Sequence, residues 1–448
     1  MKNADTPTLP HDTASMAGTF VEWYSRNRAR SRALFDLLAD EAYYSRPIDL
    51  RHPIVFYEGH LPAFSFNTLV KRALGGSSID PALEALFARG IDPSEEQSGR
   101  GTAGRWPERH EVRAFAAEAD RRVREALAAN DLDRPGDPLL HRSEAVFAIL
   151  EHEAMHQETL LYMWHRLPFD QKRRPPAYHP RIEGSVPVQE WIPVPGGRAS
   201  LGADDTALQF GWDNERPKRL EDIADFSIQR HDTTNAAFLE FIEAGGYDDP
   251  RWWRPDDWQW LRKSGLRSPL FWERLDSVWH WRGMFDLVPL PPSWPVFVTY
   301  AEALAYTRWQ GGRLPSEGEY QRAAFGAPDG AERRHPWGND APSPSRGVFD
   351  FTSWDPEPAG SHPAGRSAWG VDDLVGNGWE WTRTVFAPFP GFQPLPSYPE
   401  YSADFFDGEH FVIKGASPAT ARELLRPTFR NWFRPRYPYV YATFRGVR

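Results

Sequence analysis

Cysteine is absent from the 448 residues. That excludes disulfides, thiolate metal sites and a cysteine nucleophile, and it suits a reducing, bacterial-type cytoplasm. Long apolar runs are missing too: residues 1–15 are polar, with Pro7 and Pro10 where a signal peptide would be apolar, and no later run approaches a membrane span. Positive charge is not in excess, since the formal net charge is −10 and the basic residues are dispersed. Nucleic acid therefore finds no electrostatic footprint. The expectation is a cytoplasmic protein with small-molecule partners and neither membrane nor nucleic acid among them. What the chain has is 40% hydrophobic and 14% aromatic residues, with 20 Trp and 42 Pro, which is core enough for two or three domains and marks a rigid, loop-rich portion.

The most informative stretch is Leu150-Glu151-His152-Glu153-Ala154-Met155-His156-Gln157-Glu158-Thr159-Leu160. At helical spacing Ile149, His152, His156, Leu160 and Met163 share a stripe, so two imidazoles interrupt an apolar face. A lone inward histidine is usually an ordinary hydrogen-bonded one. Two on neighbouring turns, with Glu153 and Glu158 beside them, favour metal ligation because both can reach one point. The segment also fits H-E-x-x-H, the zinc-protease helix whose glutamate is the general base. The extended form of that motif needs Gly and His where Thr159 and Tyr162 stand. Without cysteine, a third ligand must be His, Asp or Glu.

In chain order, residues 14–40 carry Phe20, Trp23, Tyr24, Leu34 and Leu37 at helical spacing, a first amphipathic helix. After Pro47, a second helix opens near Pro53 and carries His60 near its start. Residues 92–106 are Gly- and Ser-rich and hold Arg100 and Arg105, which reads as a solvated loop or, more sharply, an anion-binding arm. Helices over about 109–130 and 138–166 complete a four-helix bundle, whose core is a common place for metal ligands. Residues 169–189, rich in Pro and basic side chains, read as a linker. A second domain over 190–448 is Trp-, Gly- and Pro-rich, with strand-like runs at Trp191–Val194 and Phe226–Gln229 and helical stretches at 234–244 and 300–310.

Within that second domain, Arg313-Leu314-Pro315-Ser316-Glu317 and Asn377-Gly378-Trp379-Glu380-Trp381-Thr382 resemble the fingerprints of formylglycine-generating-enzyme-like domains, a C-type-lectin-related fold. Formylglycine chemistry depends on cysteines in that family and is ruled out here. A DinB-like helical bundle over 12–168 carrying H-x3-H-x-E, joined to such a domain, resembles the non-haem iron sulfoxide synthases of ergothioneine and ovothiol biosynthesis and the related selenoneine synthases. The resemblance implies an α+β chain of these two domains. It also implies that His60, His152 and His156 hold Fe(II), with Glu158 in support, and that O2 and hercynine (Nα-trimethylhistidine) are substrates. Tyr398 and Tyr401 match in spacing the family's active-site tyrosines, Tyr398 as proton donor, and Asn431 and Trp432 match its Asn-Trp pair.

The chalcogen donor is where this chain departs from the ergothioneine pattern. Enzymes using γ-glutamylcysteine continue with Asp and then Arg where Phe433 and Tyr437 stand here, and Met155 replaces a frequent Gln. Losing a carboxylate and a guanidinium removes charge-assisted hydrogen bonds to a zwitterion. The resulting expectation is a selenoneine synthase with a selenosugar donor, the alternative being a hercynyl sulfoxide synthase using γ-glutamylcysteine or cysteine. Two other classes compete: an H-E-x-x-H zinc hydrolase built on His152, Glu153 and His156, and a lectin-like binding module, which leaves the inward histidines unexplained.

Overall fold

The computed structural model describes residues 13–88, 106–204 and 206–448. Arg100 and Arg105 lie outside the described residues. The chain divides into two compact units. The first runs to Ala177 and also takes in Pro396–Tyr398; the second holds the remainder from Tyr178.

The first unit is helical. α1 (Thr13–Asp36), α2 (Ile54–Ser65), α3 (Pro81–Leu86), α4 (Arg109–Ala129) and α5 (Glu144–Arg166) are its α-helices among the described residues. α1 ends at Asp36 rather than Asp40, and His60 lies mid-helix in α2 rather than near its start. Local chemistry explains the ends. Asp80 caps α3 by accepting from the Ala82 and Leu83 N–H groups with Pro81 at the first helical position. Glu108 and Glu111 form a capping box at the start of α4. α2 is apolar all round and almost wholly buried, as a helix central to a bundle should be. Beyond Ser65 it continues as a wide π-helical segment, Phe66–Ala73, a distortion that tends to accompany functional sites.

α1 is fixed to α4 and α5 by a buried polar network. Arg28 Nε donates to Asp120 at 2.7 Å and its Nη1 to Glu153 at 2.9 Å. Tyr24 donates to Asp120 at 2.7 Å and Ser31 to Glu153 at 2.6 Å. Burial pushes the Glu153 carboxyl up against the pull of Arg28 and Ser31.

The second unit mixes sheets and short helices. A four-stranded sheet has the order β10 (Asn431–Phe433), β9 (Phe411–Ala416), β8 (Gly378–Val385), β11 (Ala442–Thr443), with only the β8–β11 pair parallel. β1 (Trp191–Val194) pairs β4 (Phe226–Gln229), β2 (Gly197–Leu201) pairs β3 (Arg219–Ile223), and β5 (Trp272–Leu275), β6 (Val278–Arg282) and β7 (Leu287–Pro289) form a meander. Val194, Ile228, Phe325, Phe349, Leu374 and Val447 belong to one buried apolar cluster. The chain is α+β, as its resemblance implied.

The fingerprint residues of this unit serve its architecture. Ser316 caps the helix Glu317–Phe325 in a capping box with Glu319, and Glu317 accepts from Arg430 at 2.9 and 3.1 Å. Asn377, at φ 69, bonds the Glu357 backbone on both sides, donating to its C=O and accepting from its N–H. Glu380 accepts two bonds from the fully buried Arg445, which also donates to Asp232 at 2.9 Å. Thr382 donates to the Val412 carbonyl and the Trp381 indole to that of Val298.

Candidate metal centre

His152 and His156 lie one turn apart on α5 and His60 faces them from α2. One ring nitrogen from each of the three lies within 4.8 Å of the other two. The rings meet at centroid separations of 4.4 Å (His152 and His156), 5.0 Å (His60 and His156) and 5.2 Å (His60 and His152).

The polarity of each ring is set by its surroundings. His60 Nδ1 lies 2.7 Å from the Phe87 carbonyl, so this nitrogen carries the proton and Nε2 is left with its lone pair toward the cluster. Phe87 comes this close because residue 59 is glycine: a Cβ there would stand 2.5 Å from the Phe87 ring. Burial drives the His60 imidazole down to about 4 despite the opposing Phe87 bond. His152 and His156 are pushed well below the ordinary histidine range, first by burial and then by the other basic groups around them. Three neutral imidazoles are the state a metal ligand requires.

Nε2 of His60, both ring nitrogens of His152 and Nδ1 of His156 are buried with no hydrogen-bond partner among the described residues. Buried polar atoms without partners are costly. A divalent cation held by the three rings would satisfy one nitrogen from each, so the residues present fit a metal, and three histidines leave further coordination positions for substrates.

Aromatic rings wall the cluster. Phe64 stacks on His152 at 3.5 Å and 11°, and Phe56 on His60 at 5.0 Å and 16°. Sequence reasoning missed both, although Phe56, His60 and Phe64 recur every four residues along α2, a spacing that places them on one face. The Tyr398 ring lies 5.2 Å from Phe64 and 6.0 Å from His152. Met155 sits on α5 between the two histidines, half-buried, its carbonyl accepting from Thr159 Oγ1 at 3.4 Å. Glu158 is buried on the same helix.

Glu153 does not join them. One position on from His152 it is turned about 100° around the helix, and its carboxylate accepts from Arg28 and Ser31 of α1. The hydrolase reading of His152, Glu153 and His156 requires this carboxylate at the metal, so the arrangement removes its general base.

The other sequence-predicted positions belong to the second unit. Tyr401 stacks on Trp212 at 4.0 Å and meets the edge of Trp432 at 5.3 Å. Trp432 lies flat on Phe386 at 4.1 Å and 7°. Asn431 opens β10, its Oδ1 accepting from the Trp432 N–H at 2.9 Å. Phe433 stacks on Tyr437 at 5.3 Å and 18°.

Fold and cluster together define a metalloprotein made of a helical bundle and a mixed α/β domain. Residues 24–160 match the DinB superfamily and residues 179–448 the sulfatase-modifying factor enzyme 1-like domain. A hercynine oxygenase of Mycolicibacterium thermoresistibile is 33% identical over 439 residues, 94% of this chain and 92% of its own. Another, from Mycolicibacterium smegmatis, is 38% identical over 315 residues, covering 67% of this chain and 70% of that one. Ergothioneine biosynthesis protein 1 of Neurospora crassa is 27% identical over 92% of this chain, which spans 55% of that longer protein. The chain belongs to the hercynine oxygenase family of non-haem iron enzymes. No helix among the described residues is long and apolar enough to cross a membrane.

Proposed function

We propose that this enzyme is an Fe(II)- and O2-dependent sulfoxide synthase that joins imidazole C2 of hercynine to the sulfur of γ-glutamylcysteine or cysteine. The observation carrying this reading is the cluster of three neutral imidazoles, two buried and His156 half-buried, with unpartnered nitrogens, in a chain one-third identical to a hercynine oxygenase over nearly its whole length. The balance is closed: the C2–H and S–H bonds break, C–S and S=O bonds form, and O2 ends as the sulfoxide oxygen and water.

His60, His152 and His156 would hold the iron, which when bound supplies the activation of O2. Tyr398 is the proton donor in this reading, its ring lying 6.0 Å from that of His152; Tyr57, 5.8 Å from His156, is the other phenol beside the cluster. The aromatic faces of Tyr401 and Trp432 suit a quaternary ammonium, and Asn431 offers an amide to the histidine-derived substrate. Met155 belongs to the substrate shell. The relatives favour a thiol donor over the selenosugar to which Phe433 and Tyr437 pointed. The selenium reading stays as the second one because these two rings stack into an apolar wall, a poor partner for a zwitterion and a good one for a sugar face.

The test is aerobic incubation of Fe(II)-loaded protein with hercynine and, in parallel, γ-glutamylcysteine, cysteine or a selenosugar, with products read by mass spectrometry. A sulfoxide from a thiol supports the main reading, and a selenium adduct formed only with the selenosugar replaces it with the second. Bound iron without any adduct would refute both and leave the likeness as one of fold.

A further inference from the structure

The tripeptide Pro396–Tyr398 lies in a stretch with no regular secondary structure, so no ladder of backbone bonds fixes it. It is instead gripped from two sides within the helical unit. Arg72 donates from Nη1 to the Ser397 carbonyl at 3.0 Å and from Nη2 to the Pro396 carbonyl at 3.1 Å. Glu144 accepts the Ser397 N–H at 2.9 Å. Arg72 stands in the π-helical segment that prolongs α2, the helix of His60, and Glu144 is the first residue of α5, the helix of His152 and His156. Each helix that supplies histidines to the cluster thus also holds the residue next to Tyr398.

The wide segment explains how Arg72 reaches. A π-turn rotates the residues after it around the axis relative to an unbroken α-helix. Here its closing bonds, such as Leu74 N–H to the Leu69 carbonyl at 3.1 Å, span five residues. The guanidinium then meets two successive carbonyls with its planar fork, which an ammonium cannot reproduce. Pro396 and Pro399 on either side fix φ and lack N–H groups, leaving Ser397 and Tyr398 as the amides of this turn.

We propose that Arg72 and Glu144 are positioning residues that clamp the Ser397 backbone and so hold the Tyr398 ring beside the imidazole cluster. The proposal rests on the reading of Tyr398 as proton donor. A donor displaced by about 1 Å loses much of its rate advantage, so the clamp acts on turnover rather than on iron binding.

The test compares Arg72→Ala, Glu144→Ala and the conservative Glu144→Gln in the Fe(II)-loaded full chain, each in the parent and in Tyr398→Phe. Glu144→Ala should lower kcat about tenfold, the effect of one lost charge-assisted bond, and Arg72→Ala, which loses two, at least as much. Iron affinity and KM should stay within about twofold, and Glu144→Gln should recover most of the loss, since its amide oxygen still accepts. In Tyr398→Phe they should cause no further loss. Hydrogen exchange at the Ser397 and Tyr398 amides should quicken in the alanine variants while α2 and α5 exchange as in the parent. Additive losses in Tyr398→Phe, or unchanged Ser397 exchange, would overturn the clamp alone. Parental turnover by Tyr398→Phe would overturn the role of Tyr398 itself.

Discussion

Replacing Arg28 with methionine tests whether the motif glutamate is structural. Arg28 bridges Asp120 of α4 and Glu153 of α5, and all three side chains are at most 5% exposed. Arg28→Met keeps the length and apolar stem but leaves the buried Glu153 without its cation and Asp120 with only the exposed Arg32, at 3.4 Å. Breaking a buried pair from one side costs about 3–5 kcal/mol; Tyr24 and Ser31 still donate to the two acids, which places the expected loss near the lower bound, about 3 kcal/mol. For a unit of this size that corresponds to a fall in melting temperature of roughly 6–12 °C. Circular dichroism at 222 nm, which weights the helical unit, reads it. Glu153→Gln keeps an acceptor for Arg28 and Ser31 and should cost about 1–2 kcal/mol, with turnover of the folded, iron-loaded protein within about twofold of the parent. Loss of a general base would instead cost about 10²–10⁴ in rate with stability intact. An Arg28→Met protein within 1 kcal/mol of the parent, or a stable but inactive Glu153→Gln protein, would refute this reasoning.

Three further outcomes are expected. The metal-free protein should lose stability as pH falls: His60 is held at about 4 when folded against 6.5 ordinarily, so the unfolded chain binds the proton first, and the loss begins near pH 6.5 and ends near 4. It amounts to about 1.4 kcal/mol per pH unit from His60 alone, and urea midpoints for the parent and His60→Gln check it through the shallower slope of the variant. His152→Ala should leave the helical signal unchanged but drop bound iron well below one per chain by elemental analysis, because two ligands remain of three. Phe433→Asp combined with Tyr437→Arg should raise kcat/KM for γ-glutamylcysteine over the parent by at least about tenfold, through new charge-assisted bonds to a zwitterion, measured by product formation at limiting donor.

Much of the outline was legible in the residues. Periodicity placed α1, α2 and α4 to within a few residues, began α5 at 138 where the helix starts at Glu144, and singled out the inward pair on α5, because an amphipathic stripe interrupted by two imidazoles one turn apart is a local pattern. The strands Trp191–Val194 and Phe226–Gln229 stood out as short apolar runs. The short helix α3 went unread because its six residues carry too few periodic positions to signal.

The sequence by itself therefore determined the long helices of the bundle, that the chain has no cysteine side chain of its own to react, and, through its motifs, the family. Tertiary structure alone decided which side chains meet. Glu153 sits inside a metalloprotease-like motif, yet Arg28, 125 residues away, takes it. The proton on His60 is fixed by a carbonyl 27 residues distant that approaches only over a glycine. Tyr398, some 240 residues beyond the histidines, is brought beside them by a grip on its neighbour's backbone. These contacts follow from how distant segments pack, and backbone carbonyls and amides, which do much of the holding, are the same at every non-proline position of the sequence.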